Sequence, residues 1–403
     1  MLVAPIETRD LEAVLAPFGR SRTLPDSAYT DASVLAWERT HVFAESWVCL
    51  GRLNELLAPG QVRALETVGE GILLSLDPDG ELRGFSNVCR HRGHELAPVG
   101  DAIDVRLIRC PYHSWTYRLD GTLKTAPTLT QTEDFNPAEF PLFEIPVDTF
   151  AGWVFVNPSG TAGNLADHLG NLTDLLAPYE LGRLATAATH SYAVQANWKV
   201  LIDNYSECYH CANIHPDLCE VTPPESGRDR QPTGMWFGGT MDLKNHAVTM
   251  SFDGSTGGVN FRGINADLER KVWYLAVMSN LLISANPDYV MTHLLTPVDV
   301  DRTEVECSWL FAPESTSIHE FDPSYAVDFW DLTNRQDWAA CEAVQRGVSR
   351  RGYHHGPLSN WEGTIYQFHG MMARAYLGQG LVVPVVPTTV SRQSQPGSKQ
   401  STT

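Results

Sequence analysis

The stretch DNYSECYHCANIHP (203–216) places two cysteines, two histidines and two acidic residues within fourteen positions. Cys208 and Cys211 form a C-x-x-C pair, a spacing that zinc sites and redox dithiols both use. His210 and His215 lie beside a carboxylate, which is the ligand set of a different and more reactive metal site. The stretch alone therefore indicates a metal or redox centre and leaves its identity open.

Two further Cys–His pairs lie earlier in the chain. NVCRHRGHELAP contains Cys89 and His91, and CPYHSWTY contains Cys110 and His113. Two thiolates and two imidazoles could bind zinc tetrahedrally, or could hold a [2Fe-2S] cluster with the cysteines on one iron and the histidines on the other. Zinc ribbons usually pair like ligands, whereas each loop here supplies one Cys and one His in the same order. The pattern favours a Rieske cluster over structural zinc or four unrelated core residues.

Length, charge and cysteine content limit the class of protein. A chain of 403 residues with 43% apolar residues predicts two globular domains. A net charge of −19 argues against nucleic acid or an anionic membrane as the main partner. No apolar run approaches the ~20 residues of a membrane span and the start lacks a signal-peptide pattern, so a cytoplasmic location is expected. Eight cysteines are too sparse for a disulfide scaffold.

The elements that must position these residues change in type along the chain. From residue 48 to 157 strand and turn signals dominate, with Asp79-Gly80 and Asp120-Gly121 between alternating apolar runs, a strong hairpin signal. The later helix-like segments are 166–180, 197–211 and 326–348, and the later strand-like segments are 289–300 and 304–313. The order predicts a β-rich domain followed by an α+β domain.

On these motifs the sequence resembles the Rieske non-haem iron oxygenases, the large subunits of ring-hydroxylating dioxygenases and related monooxygenases, over roughly residues 35 to 380. The resemblance implies an α+β fold: an all-β Rieske [2Fe-2S] domain, then a catalytic domain with an antiparallel sheet flanked by helices. The expected parts are an N-terminal helical segment packed on the catalytic domain (1–47), the Rieske domain (48–157), the catalytic domain (158–385) and a loose tail (386–403).

The resemblance also predicts a mononuclear iron in the second domain, held by two histidines and one carboxylate. Glu207 and His210 are three residues apart, so we expect them on the same face of a helix. His215 follows five residues later, about 140° around a regular helix, so the helix must bend or end between the two histidines. Pro216 is consistent with a stop soon after His215.

In the family pattern His210 and His215 bind the iron. The acid three residues before the first histidine, here Glu207, is not a ligand but bridges the iron site to a cluster histidine of the neighbouring subunit. Many relatives have Asp at this position. With Glu at this position, the chain resembles the branch of the family that oxidises quaternary ammonium compounds such as choline, glycine betaine, carnitine and stachydrine.

The family's third ligand comes from a late helix, in a pattern like D-x4-E-x-x-Q. Asp337, Glu342 and Gln345 match this pattern. We predict Asp337 as the ligand, with Asp331 and Glu342 as the nearest competing carboxylates.

Four other residues of the opening stretch receive a weaker interpretation. Cys208 and Cys211 are expected to be small buried residues on a helix, because a thiolate favours zinc or copper over Fe(II) and no second cysteine pair completes a zinc site. Asp203 and Asn204 either orient the ligands or are ordinary polar helix residues.

The electron supply is predicted to come from another protein. The chain has no G-x-G-x-x-G after a strand, no flavin signature and no plant-type cluster motif, so NAD(P)H is expected to be oxidised by a separate reductase or a ferredoxin system. Electrons then pass singly to the cluster and through Glu207 to the iron, where O₂ is used against a C–H bond or an aromatic ring. The resemblance implies a homotrimer in which this path crosses between subunits.

The substrate is the least determined feature. Aromatic residues between the two halves of the iron site could surround a trimethylammonium group by cation–π attraction, stack on an aromatic ring, or form only core. They are Trp236, Phe237, Phe252, Phe261, Trp273, Tyr274 and Tyr289. The favoured hypothesis is oxidative N-demethylation of a quaternary ammonium compound such as glycine betaine or stachydrine. The alternatives are hydroxylation or dihydroxylation of an aromatic ring or acid and, in other classes, a zinc-stabilised binding protein or a Rieske electron carrier.

Overall fold

The computed structural model describes residues 2–386 apart from residues 130, 131 and 133, so the predicted tail lies outside the described residues. The first half of the chain forms three antiparallel sheets, with strand orders β5-β2-β3-β4-β9, β6-β7-β8 and β1-β11-β10. Their strands are β1 (Val48–Arg52), β2 (Gln61–Thr67), β3 (Glu70–Leu76), β4 (Leu82–Ser86), β5 (Ile103–Asp104), β6 (Ile108–Arg109), β7 (Thr116–Tyr117), β8 (Leu123–Thr125), β9 (Glu144–Ile145), β10 (Val147–Phe150) and β11 (Trp153–Val156). The strand-rich character predicted for this region is confirmed.

Both hairpins predicted from Asp-Gly pairs are present. One joins β3 to β4 through Gly80, and the other joins β7 to β8 through Gly121. Gly121 has a φ of +82°, and a Cβ atom there would lie 2.5 Å from the ring of Phe85. Since Phe85 is fully buried in the core below, the turn requires glycine both for its backbone and for this close approach.

The second half contains a seven-stranded antiparallel sheet in the order β12-β18-β17-β16-β15-β14-β13. Its strands are β12 (Ala185–Val194), β13 (Arg228–Asp229), β14 (Trp236–Asp242), β15 (Lys271–Val277), β16 (Leu281–Ala285), β17 (Tyr289–Asp299) and β18 (Arg302–Phe311). The predicted strands at 289–300 and 304–313 are confirmed as β17 and β18. Tyr274, Ser284 and Met291 pair directly across β15, β16 and β17, so their side chains share one face, and His293 joins them two residues further on.

Helices cover this sheet and form the N-terminal segment. The α-helices are α1 (Thr8–Val14), α2 (Asp26–Thr30), α3 (Ala32–Glu38), α4 (Leu53–Leu56), α5 (Leu165–Leu169), α6 (Leu172–Leu176), α7 (Trp198–Tyr205), α8 (Cys211–Ile214), α9 (Pro216–Val221), α10 (Pro313–Thr316), α11 (Ser324–Val348) and α12 (Gly363–Tyr376), with a π-helical turn at Arg39–Ala44. The long helix predicted at 326–348 is confirmed as α11. None of the described helices combines the length and apolar character that a membrane crossing would need.

The helix-like segment 166–180 is interrupted, so its prediction as one helix is wrong. It forms α5 and α6, with Gly170 between them at a φ of +52°. A Cβ atom at Gly170 would lie 2.5 Å from the backbone nitrogen of Gly234. The close packing of the 233–234 backbone at this point ends the first helix.

A buried ion pair connects the N-terminal segment to the catalytic part of the chain. The Lys199 ammonium lies 2.7 Å from a carboxylate oxygen of Glu38, and neither side chain is exposed. Glu38 also accepts hydrogen bonds from the Trp198 indole, at 2.8 Å, and from the Tyr376 hydroxyl. One carboxylate thus joins α3, α7 and α12.

Replacing Lys199 by methionine is expected to lower the free energy of unfolding by about 3–5 kcal/mol, because the Glu38 carboxylate then stays buried without a counter-charge. Urea denaturation at constant iron loading measures this change. Arg183→Met is the matched control, since Arg183 pairs with Glu180 at the surface, where nearly half of each side chain is exposed, and little change is expected. Equal losses of unfolding free energy in Lys199→Met and Arg183→Met would contradict the stabilising role of the buried Glu38–Lys199 ion pair.

Candidate metal centres and active-site cavity

The two Cys–His loops have the same backbone hydrogen bonds. The Cys89 amide donates to the carbonyl of His94, and the Cys110 amide donates to the carbonyl of Trp115, both at 2.8 Å. The carbonyls of the two cysteines accept in turn from Gly93 and Ser114, which both have positive φ. The two loops therefore share one backbone conformation with their cysteines in equivalent positions, and each has its histidine two or three residues after the cysteine.

The side chains of the two loops fit a [2Fe-2S] cluster. Cys89 and Cys110 are buried, while the rings of His91 and His113 lie 4.6 Å apart nearer the surface. His91 Nδ1 is buried and has no hydrogen-bond partner among the described residues, which leaves its lone pair available to a metal. A thiolate pair inside and an imidazole pair outside is the donor set of a Rieske cluster.

Tyr117 is a supporting residue that the sequence reasoning did not identify. Its oxygen accepts from the Arg90 amide at 3.1 Å and lies 3.4 Å from Cys89 Sγ. The phenol proton is therefore directed to the sulfur. Burial is the main cause that raises the pKa of Tyr117 well above its usual value, and the contact with Cys89 raises this pKa further. A hydrogen bond to a ligating sulfur is one of the ways a protein sets a cluster's reduction potential.

The second centre brings His210, His215 and Asp337 together, with one potential ligand atom from each lying within 4.8 Å of the others. Asp337 Oδ1 lies 2.8 Å from His215 Nε2 and 3.5 Å from His210 Nε2. Burial opposes ionisation of Asp337, but hydrogen bonds from the two histidines outweigh burial and hold the pKa of the carboxyl below its usual value. Two imidazoles and one carboxylate fit an Fe(II) site with open positions.

The other nitrogen of each histidine is also occupied. His210 Nδ1 lies 2.5 Å from Glu207 Oε1, and His215 Nδ1 lies 2.7 Å from Gln336 Oε1. When a metal occupies the centre, these acceptors would keep the ring proton on Nδ1 and leave the Nε2 lone pair of each ring for the metal in place of the contact with Asp337. Gln336 was missed by the sequence reasoning, and its only signal was its position next to Asp337.

The two competing carboxylates are engaged elsewhere. Asp331 accepts from the hydroxyl of Tyr192 at 2.7 Å and lies 3.1 Å from His190 Nδ1. Glu342 accepts from the backbone amide of Gln195 at 3.2 Å. Of the three candidates on α11, the structure brings Asp337 to the histidines.

The backbone around these histidines differs from the prediction in two respects. Helix α7 ends at Tyr205, so Glu207 and His210 do not share a helix face. The Glu207 carboxylate accepts from the backbone amides of Tyr209 and His210 and thus stabilises a turn instead of a helix. Helix α8 does end at Ile214, with His215 as its C-cap, but Pro216 then begins a further helix, α9, where its missing N–H is not needed.

The expectation for Cys208 and Cys211 is also wrong. The structure joins them in a disulfide that encloses Tyr209 and His210. Cys208 lies in the turn after α7, and only Cys211 lies on a helix. The spacing of a C-x-x-C pair permits this bond, although the small number of cysteines argued against a disulfide scaffold.

Asp203 contacts the N-terminal segment and α12. Its carboxylate accepts from the Tyr29 hydroxyl at 2.7 Å and lies 2.8 Å from His369 Nε2. Asn204 lines the cavity described next. Asp203 therefore positions α7 against two other parts of the chain. The structure gives it no hydrogen bond to His210 or His215.

A cavity extends from the iron triad between α11 and the sheet. Its aromatic wall consists of Tyr205, Tyr274, Trp330 and Trp338. Of the aromatic residues predicted to line it, only Tyr274 does so. Trp236, Phe237, Phe261, Trp273 and Tyr289 are buried in the core, and Phe252 is 47% exposed.

Comparison with known proteins agrees with this architecture. Residues 46–143 match the Rieske [2Fe-2S] domain, and residues 181–378 match the catalytic domain of ring-hydroxylating alpha subunits. The carnitine monooxygenase oxygenase subunit of Escherichia coli K12 is 30% identical, with 88% of this chain and 94% of that protein covered. The glycine betaine monooxygenase oxygenase subunit of Pseudomonas aeruginosa PAO1 is 29% identical, with coverages of 84% and 85%.

Solved structures show the same fold. The quaternary ammonium Rieske monooxygenase CntA in complex with L-carnitine superposes with a TM-score of 0.73 at 25% identity, covering 93% of this chain and all of that one. Naphthalene 1,2-dioxygenase from Rhodococcus superposes with a TM-score of 0.74 at 18% identity, covering 92% and 97%, which concerns the fold alone.

The fold and the two centres define an iron-dependent oxidoreductase that incorporates oxygen from O₂. The chain belongs to the Rieske non-haem iron oxygenases, as the alpha subunit that forms the terminal oxygenase component. Its cofactors are a Rieske [2Fe-2S] cluster and a mononuclear iron, and its family takes electrons from a reductase or ferredoxin to oxidise a small molecule. The predicted family is confirmed, and the zinc-protein and electron-carrier alternatives are wrong.

Proposed function

We propose that this oxygenase oxidises a quaternary ammonium compound by hydroxylating an N-methyl carbon. One C–H bond breaks and a C–O bond forms; one atom of O₂ enters the product and the other leaves as water, with two electrons from the reductase and two protons. The hydroxymethyl product then loses formaldehyde and a proton and leaves a tertiary amine. The net reaction is N-demethylation.

The observation that carries this proposal is the aromatic wall beside the triad. Trp330 and Tyr274 lie with ring centroids 6.2 Å apart, and Tyr205 lies 6.1 Å from Tyr274. A trimethylammonium group has no hydrogen-bond donor, so aromatic faces attract it, at about 0.5–2 kcal/mol each. The relatives named for glycine betaine and carnitine, and CntA with bound carnitine, support the same substrate class.

The charge of the cavity also favours a cation. Glu207, Asp229 and Asp337 line it, whereas Arg228 is the one Lys or Arg among the described lining residues. The Arg228 side chain is exposed and donates to the backbone carbonyls of Glu225 and Gly227. Asp337 belongs to the proposed iron site, and the carboxylates of Glu207 and Asp229 add further negative charge to the cavity wall, which favours a cationic substrate.

Within this proposal, His210, His215 and Asp337 hold the mononuclear iron, and Cys89, His91, Cys110 and His113 hold the cluster. The iron supplies O₂ activation when it is bound. Glu207 and Gln336 keep both histidines in the tautomer that presents Nε2, and the aromatic wall holds the N-methyl group near the open side of the triad and excludes water.

The electron path is proposed to cross between subunits of a homotrimer, with a cluster histidine of one subunit facing Glu207 of the next. Two features support this. Tyr112, beside His113, is 54% exposed, and Tyr209, beside His210, is 60% exposed, so each centre lies under a surface that a neighbour could cover. We propose that the electrons come from an NAD(P)H-dependent reductase or a ferredoxin and that the enzyme is cytoplasmic.

A panel of trimethylammonium compounds, with aromatic acids beside them, tests the function. The purified oxygenase with a compatible reductase is expected to release formaldehyde and the dimethylamino product in a 1:1 ratio to O₂ consumed. Trimethylamine in place of formaldehyde would keep the substrate class and move the oxidised carbon to the methylene group. Turnover of the aromatic acids alone would contradict the proposal in favour of ring hydroxylation.

A further inference from the structure

Four polar atoms on the cavity wall are buried without a hydrogen-bond partner among the described residues. They are the hydroxyls of Ser206 and Tyr274, the indole nitrogen of Trp338 and Nδ1 of His293. Native proteins rarely leave buried polar groups unpaired, because each one costs the desolvation of a lost hydrogen bond. Four such groups around one cavity indicate that a ligand supplies the missing partners.

The hydrogen bonds around His293 determine which kind of partner it needs. Asn334 donates its amide N–H to Cys307 Sγ at 3.5 Å, which leaves its oxygen to accept from His293 Nε2 at 3.1 Å. The proton of the ring is therefore on Nε2, and Nδ1 is an acceptor. Burial lowers the pKa of His293 to about 4, which agrees with a neutral ring. His293 thus requires a donor from the ligand.

Tyr274 supplies the complementary group on the same wall. Tyr205 lies between the two residues, with its ring centroid 6.1 Å from that of Tyr274 and 6.0 Å from that of His293. The Tyr205 hydroxyl is already paired with Ser284 Oγ at 3.0 Å, whereas the Tyr274 hydroxyl is free to donate. One acceptor and one donor therefore flank the aromatic surface proposed to hold the ammonium group.

We infer that the substrate is a trimethylammonium compound that carries a hydroxyl group, and that His293 and Tyr274 recognise it. The hydroxyl donates its proton to His293 Nδ1, and the Tyr274 hydroxyl donates to a substrate oxygen. A carboxylate cannot replace the hydroxyl at His293, because it has no proton to donate at neutral pH and its lone pairs would face that of Nδ1. The inference rests on the proposed function and adds the recognition element.

Matched pairs of substrates test the inference. Choline is compared with n-propyltrimethylammonium, in which a methyl group replaces the hydroxyl, and carnitine is compared with γ-butyrobetaine, its deoxy analogue. We expect kcat/KM to be about 10- to 100-fold higher for the hydroxylated member of at least one pair, because the deoxy analogue leaves buried polar groups unpaired. Product formation and Kd are both measured on the fully iron-loaded protein.

Two variants and one control locate the effect. His293→Gln keeps a donor toward Asn334 and removes the acceptor at Nδ1, and Tyr274→Phe removes only the hydroxyl. Both are expected to reduce the preference for the hydroxylated member toward unity. Tyr205→Phe, whose hydroxyl has an internal partner, is expected to retain the preference whatever its effect on rate. A purely structural role for His293 or Tyr274 would lower the activity on both members equally and leave the preference unchanged.

The outcomes separate this inference from the proposed function. Equal kcat/KM and Kd within both pairs, with product formed from each, would overturn the inference and leave the quaternary ammonium function standing. Product from glycine betaine but from none of the four compounds would also overturn only the inference. No product from any of these five compounds, with cluster and iron at full occupancy, would overturn both.

Discussion

The Asp337→Ala variant is expected to lose the mononuclear iron and to retain the Rieske cluster. Asp337 is the only charged member of the triad, and its carboxylate lies 2.8 Å from the ligand nitrogen of His215. Iron analysis is expected to fall from about three to about two per chain, with about two sulfides in both proteins. Because changes outside the ligand set already cost about 10–100-fold, loss of the ligand is expected to lower product formation by more than about 100-fold.

Two alanine variants on the same helix are the controls. Asp331→Ala and Glu342→Ala remove carboxylates that the structure pairs with Tyr192 and with the Gln195 amide. Both are expected to retain three irons per chain within about a tenth and an unchanged EPR signal of the reduced cluster. Iron loss in either control, with full iron in Asp337→Ala, would show that the third ligand is assigned to the wrong residue.

The Glu207→Gln variant is expected to retain all its iron and to lose reductase-driven turnover by about 100-fold or more. Glutamine keeps the shape of the side chain and one oxygen, which can accept from His210 Nδ1 as Oε1 of Glu207 does and so hold the ring in the same tautomer. It lacks the negative charge beside His210 Nδ1, through which the proposed electron path enters the iron site. EPR of the reduced cluster and iron analysis establish that both centres are intact before turnover is measured.

Hydrogen peroxide distinguishes an electron path from a structural role. H₂O₂ carries the oxygen atoms, two electrons and two protons that the reaction needs, so it bypasses the cluster. Glu207→Gln is expected to form product with peroxide at a rate near that of the unchanged protein, while Asp337→Ala forms none. Glu362→Gln is the matched control, because Glu362 is a nearby carboxylate that accepts from the Ser359 amide. Failure of Glu207→Gln with peroxide would assign Glu207 to the iron site alone.

The parts of the site that the sequence could predict are those with local spacing. The two Cys–His pairs lie within loops of a few residues, so their order alone favoured the cluster. The spacing of His210 and His215, five residues apart, was equally local and could be read from the sequence. Asp337, more than a hundred residues later, was found only through the family pattern, because no spacing rule connects a late helix to an earlier turn.

What the sequence could not predict depends on tertiary packing. Tyr274 and Trp273 are adjacent on β15 and point to opposite faces, and composition does not tell which face meets the cavity. Trp330 and Trp338 lie on α11, for which the sequence pattern predicts a metal ligand but no cavity wall. The early end of α7 follows from the Glu207 carboxylate, whose bonds to the Tyr209 and His210 amides replace the helical ones.

The buried carboxylate of Glu38 imposes an order on the folding of the newly made chain. Its partners Trp198 and Lys199 follow it by about 160 residues, and Tyr376 follows it by 338. As the chain leaves the ribosome, the segment that contains Glu38 appears before the Rieske region, whose strand pairs all lie between residues 48 and 156 and can therefore form before Lys199 is made. The segment that contains Glu38 is therefore translated before the Rieske region but reaches its final position after it. In a ribosome-stalled chain that ends before Lys199, we expect the Rieske region to resist protease and residues 8–44 to be cleaved.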